Sequence, residues 1–176
     1  AYASTLALAA REQASTPAVP ELPAYFRHVI GKSGLIYATV TWSGVRLHTE
    51  EKQALEAMRQ YGLALGILLQ LRDDCRDLYN GQLNSDLAVN PYTLPVLYGL
   101  ARQEHPHQAR LAALLERPAT PGVIADILGI LDDLDAFSYC VAVMKAYEQK
   151  ALEALHPFPA EKVAPLEAYV SSFLNG

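Results

Sequence analysis

The chain predicts an all-α fold, and three observations carry that expectation. Alternation of β-branched and polar residues never persists for more than a few positions. Residues from about 50 to 79 keep a helical rhythm over about thirty positions without a proline, longer than most globular helices and suited to a central scaffold element. Proline, glycine, serine and threonine cluster between the remaining periodic segments, where turns belong.

Taken in order, residues about 1–13 read as a first helix, ended by Ser15-Thr16-Pro17 and the spacing of Pro17, Pro20 and Pro23. A short helix near 22–30 leads into Gly31-Lys32-Ser33-Gly34, and an apolar helix then runs to about Leu47. Thr49 suits the cap of the long helix, and Glu50 and Glu51 suit its positive end. Gly81 to Pro91 reads as a polar loop. Helices follow near 93–103 and 107–116, and Thr120-Pro121 places a cap before a proline at the first helical position. Segments 121–131, about 134–155 and 160–174 complete a single all-α domain spanning 1–176.

Composition narrows the function. With 176 residues and 51% hydrophobic content, the chain can bury a real core. A net charge of −5 argues against nucleic acid or an anionic membrane as partner. No apolar run reaches the length of a membrane span. Cys75 and Cys140 suggest no disulfide framework and fit a reducing cytoplasm, and Cys75 reads as packed rather than ligating. The Ala-rich start lacks the basic region of a secretory signal, and a chain that begins at Ala1 is expected to be trimmed or part of something longer.

The chemistry concentrates in Gln70-Leu71-Arg72-Asp73-Asp74-Cys75-Arg76-Asp77. On a helix, positions 70, 73, 74 and 77 fall within an arc of roughly 100°. Asp73 and Asp77 are like charges one turn apart, which costs a few tenths of a kcal/mol without a counter-ion. Oxygen-only ligands suit Mg²⁺. Gly62 and Gly66 continue the stripe upstream, each costing about 1 kcal/mol relative to alanine. Two readings stand for them: a smooth wall of a cavity, or room for a close helix neighbour.

Other motifs are weaker. Gly31-Lys32-Ser33 lacks a P-loop's first glycine, since Phe26 stands there, and no strand precedes it. A lysine between glycines at a helix start can still meet phosphate. Leu131-Asp132-Asp133-Leu134-Asp135 suits helix capping better than metal binding, and His105-Pro106-His107 suits a turn better than a zinc site. Nothing pairs a Ser or Cys with a His and an acid.

The run Tyr61 to Asp77 resembles the second aspartate-rich region of trans-isoprenyl diphosphate synthases, a glycine-spaced helix ending in Q-x-x-D-D-x-x-D. Lys32-Ser33-Gly34 looks like that family's K-T-G. Ser85-Asp86-Leu87 and Thr93-Leu94-Pro95 look like the segment after the acid motif, and Tyr147 to Leu155 is similar to its late helix. The resemblance implies a helical bundle of the isoprenoid synthase type, incomplete at its N-terminal side. It implies Mg²⁺ held by Asp73, Asp74 and Asp77, directly or through water. Lys32, Ser33 and Gln70 would bind the diphosphate, with Lys32, Gln70 and Asp73 in catalytic roles, and Gly62 and Gly66 would flank the prenyl tunnel. An allylic diphosphate would be condensed with isopentenyl diphosphate, in a homodimer.

Departures from the family accompany these matches. The family's first DDxxD and its following arginines are absent from the sequence, Asn84 and Ser85 replace a Gly-Lys element, and Pro91 replaces a common lysine. The expectation is a chain inactive alone, needing a missing half or a partner subunit that carries the first DDxxD. The alternatives are a non-catalytic helical subunit that regulates or stabilises an active prenyltransferase, and a class I terpene synthase-like relative.

Overall fold

A computed structural model describes residues 21–79 and 92–174. The expected helix over 1–13 and the loop from Gly81 to Pro91, with Asn84, Ser85 and Asp86, lie outside the described residues. Within them every regular element is helical.

Helix α1 (Leu22–Val29), a π-helical turn (Ile30–Gly34) and α2 (Leu35–Arg46) form one continuous run. The backbone stays right-handed helical at Val29, Gly34 and Leu35, and the Leu35 N–H reaches back to Ile30 O. The Gly31–Gly34 motif therefore lies inside a helix, not at the start of one. Its amides are spent within the helix, which removes the helix-start argument for phosphate at Lys32. After α2, His48 and Thr49 amides close on Val45 O. Thr49 Oγ1 then accepts the Glu51 N–H at 3.1 Å, a turn just ahead of α3 (Lys52–Tyr79), so Thr49 precedes the helix instead of capping it and Glu50 and Glu51 fall outside its first turn.

The chain clusters into two compact units. In the first, Phe26–Arg72 packs with the chain from 143 onward, which carries most of α7 (Ala136–Leu155) and all of α8 (Ala160–Ser171). Gly62 and Gly66 bring α3 against the backbone of the π turn and α2. A Cβ on Gly66 would sit 2.7 Å from Ser33 O, and one on Gly62 would meet Tyr37 O and Thr41. Thr41 Oγ1 uses that proximity to donate to Met58 O at 2.6 Å. Val29, Leu68, Leu71, Ala151, Leu155 and Val170 are fully buried in this unit.

The second unit holds residues 21–25, the end of α3 from Asp73, and the chain from 92 to Ala142. Helices α4 (Leu94–Ala101), α5 (His107–Leu115) and α6 (Pro121–Asp133) pack around Val96, Leu111, Ile130 and Leu131. Pro121 occupies the first turn of α6, and Thr120 Oγ1 accepts the Val123 N–H. Asp132 and Asp133 occupy the last turn of α6 instead of capping a start. Asp135 sits in the left-handed region at φ 54°, and its carbonyl accepts the Tyr139 N–H to begin α7. None of the described helices is long and apolar enough to cross a membrane.

Candidate functional site

Helix α3 carries the acidic stripe, and each residue on it has a distinct neighbour. In the first unit, Ser33 Oγ on the π turn donates to Gln70 Oε1 at 2.8 Å. That contact exists because Gly66 admits the Ser33 backbone. The two glycines thus serve close helix packing, since a Cβ on either would meet the facing backbone. Their effect on the site is to set Ser33 beside Gln70. Lys32 is exposed on the same π turn.

The same unit has a cleft of about 540 Å³ with Ile30, Leu63, Ala64 and Ile67 as its apolar wall and Tyr147 and Lys150 at its side. Lys150 Nζ lies 4.7 Å from the centre of the Tyr147 ring.

In the second unit, Arg76 answers the expected repulsion between Asp73 and Asp77. Its guanidinium lies 3.4 Å from Asp73 Oδ1 and 3.7 Å from Asp77 Oδ1. Both carboxylates are nearly half exposed, at 45% and 46%. Asp74 behaves differently. Its Oδ2 accepts a 2.6 Å hydrogen bond from the Tyr25 hydroxyl, and Tyr25 is only 6% exposed. Burial first, then the Asp74 carboxylate, pushes the Tyr25 phenol far above its ordinary pKa. Sequence reasoning had not singled out Tyr25.

The remaining candidates are structural. Cys140 is buried, and its hydrogen bond with Cys75, then burial, raises its thiol pKa. His107 Nδ1 lies 3.3 Å from Asp133 Oδ2, and the rings of His105 and His107 meet edge to face at 5.3 Å. Among the described residues, no three His, Cys, Asp or Glu side chains converge as a complete metal site. Asp73 and Asp77 still fit a hard cation: both are exposed oxygen donors, one turn apart, already drawn to a positive charge. They supply part of a shell.

The family model described as polyprenyl synthetase matches residues 6–131. The chain belongs to that family. Among family relatives, heptaprenyl diphosphate synthase component 2 of Bacillus subtilis is 24% identical over 160 residues, covering 88% of this chain and 45% of that protein. Dolasta-1(15),8-diene synthase of Colletotrichum gloeosporioides is 30% identical over 99 residues, 55% of this chain and 13% of that one. The fold matches geranylgeranyl pyrophosphate synthase from Corynebacterium glutamicum, complexed with calcium and isoprenyl diphosphate. The TM-score is 0.85 at 21% identity, over 99% of this chain and 56% of that one. This polyprenyl synthetase chain thus spans about half the length of the prenyl diphosphate synthases it matches.

Proposed function

We propose that the chain supplies the second aspartate-rich half of a Mg²⁺-dependent prenyltransferase site. The observation that carries this reading is the exposed Asp73 and Asp77 pair, one turn beyond a Gln70 fixed by Ser33, on the long helix of a polyprenyl synthetase fold. Mg²⁺, when bound, neutralises charge on the diphosphate leaving group.

The chain's own residues do the rest. Asp73 and Asp77 would hold the cation in the place where Arg76 now offsets their charge. Lys32 and Gln70 bracket the diphosphate, the ammonium as a mobile point charge and the amide in an orientation set by Ser33. Leu63, Ala64 and Ile67 offer an apolar wall to a prenyl chain. In the reaction pyrophosphate departs from the allylic substrate, the allylic carbon bonds to the alkene of isopentenyl diphosphate, and a proton is lost. Asp74, the third carboxylate of the motif, is tied to Tyr25.

The carboxylates that should face this half are not in the sequence given, and one cluster leaves a Mg²⁺ ion largely hydrated. The chain therefore requires its other half, attached or from a partner polypeptide, within a dimer working in a reducing cytoplasm. The test is prenyl transfer with Mg²⁺, an allylic diphosphate and isopentenyl diphosphate, on protein of verified intact mass. The expected result is no product from the 176 residues alone and product when the facing half is added. Robust turnover by the chain alone would refute the half-site reading.

One observation favours a second reading. Arg76 already offsets part of the charge of Asp73 and Asp77, as suits a helical subunit that keeps the fold and stabilises an active partner without binding metal. Failure of Mg²⁺ and pyrophosphate to stabilise the chain would support it.

A further inference from the structure

The three aspartates of the motif divide into two groups by their partners. Asp73 and Asp77 share a solvent-exposed guanidinium. Asp74 is joined to a buried phenol by a short hydrogen bond, of the length expected when the acceptor is ionised. Helix geometry alone does not divide them, since Asp77 projects between the others, about 40° from Asp73 and about 60° from Asp74; their partners do. Swinging Asp74 toward solvent would leave a buried hydroxyl without that acceptor, at a cost of about 1–3 kcal/mol.

We propose that Tyr25 is a positioning residue that holds Asp74 away from the metal, leaving Asp73 and Asp77 as the carboxylates that present to it. This rests on the half-site reading above and assigns unequal roles within its acidic motif. Asp74 acts as a brace. Through it, α1 fixes the rotation of the α3 turn on which Asp73 and Asp77 stand, and the ligand pair is held in place before the cation arrives. Outer hydrogen bonds of this kind commonly set the affinity of the residues they support.

The experiment uses the full chain with ¹³C-labelled aspartate carboxyls, assigned through Asp73→Asn, Asp74→Asn and Asp77→Asn. Mn²⁺ with inorganic pyrophosphate is the probe. In the native chain, substoichiometric Mn²⁺ is expected to broaden Asp73 and Asp77 well before Asp74. Tyr25→Phe, which keeps the ring, is expected to shift the Asp74 resonance without metal and to weaken Mn²⁺ binding about tenfold. It should also let Asp74 broaden along with Asp73.

Equal broadening of Asp74 and Asp73 in the native chain would overturn the proposal, and needs no variant to fold. So would an Asp74 resonance indifferent to Tyr25→Phe. Absence of broadening at every aspartate would remove the metal reading itself, and this inference with it. A merely structural Tyr25 would lower the melting temperature in the variant without changing the order in which the native aspartates respond.

Discussion

Two runs of adjacent aspartates occur in the same compact unit, and they resemble each other more in sequence than in structure. Asp73 and Asp74 lie more than a turn's length inside α3, and Asp77 stands in its last turn. Asp132 and Asp133 end α6, and Asp135 forms the left-handed junction before α7. In the first run a helical turn sets two carboxylates side by side and an arginine answers them. In the second, the negative end of a helix meets two more negative charges, an unfavourable placement relieved by solvent. Adjacent acids make a candidate cation site where one helical turn aims two of them together at a positive group, as Asp73 and Asp77 are aimed at Arg76.

That contrast is most open to challenge through metal binding. Mg²⁺ with pyrophosphate should raise the melting temperature of the native chain and of Asp132→Ala, by about 5 °C at concentrations about a hundredfold above Kd. Asp73→Ala should show no such rise. A thermal scan decides it, and an equal response from both variants would erase the distinction between the clusters.

The next effect separates a buried tether from a surface ion pair. Tyr25→Phe leaves the partly buried Asp74 carboxylate without its hydroxyl donor, and urea unfolding should show a loss of about 1–3 kcal/mol. A smaller loss than that from His107→Ala would mean the tether contributes no more than an exposed contact.

Much of this was legible in the sequence, for physical reasons that differ by element. Helix α3 declared itself through its unbroken periodicity, while its start fell a few residues later than Thr49 suggested. Thr120-Pro121 marked the start of α6. Local chemistry writes local signals. The π turn was hidden because an extra residue in a helical turn leaves no compositional mark beyond two glycines that also suit a loop. Gly62 and Gly66 were read as a stripe, yet the same stripe suits a tunnel or a helix neighbour, and only the position of the Ser33 and Tyr37 backbones separates the two. Tyr25 stands 49 residues from Asp74. No periodicity links residues at that separation, so the carboxylate read as a metal ligand gave no hint of the phenol that holds it.

Within the second cluster, Asp135 tests whether backbone or charge fixes its place. Its φ of 54° is one that side chains with a Cβ adopt at a cost, and its contribution to α7 is a carbonyl that any residue provides. Asp135→Gly should therefore stabilise the chain slightly, by up to about 1 kcal/mol in urea unfolding. Destabilisation would show that the Asp135 carboxylate caps α7 after all, restoring the capping role expected from sequence.

The smallest effect belongs to the His107 and Asp133 pair. Its side chains are 38% and 60% exposed at 3.3 Å, so solvent screens the attraction and each side chain loses freedom in forming it. Asp133→Asn should change stability by only about 0.2–1 kcal/mol, and less in high salt. The substitution also removes a negative charge from the last turn of α6, which favours the helix by a similar amount. The two contributions oppose each other, and the net change at neutral pH is expected to be close to zero. A loss well above about 1 kcal/mol, insensitive to salt, would place this carboxylate in a buried network. The second cluster would then be held as firmly as the first, and the contrast between them would lie in helix position alone.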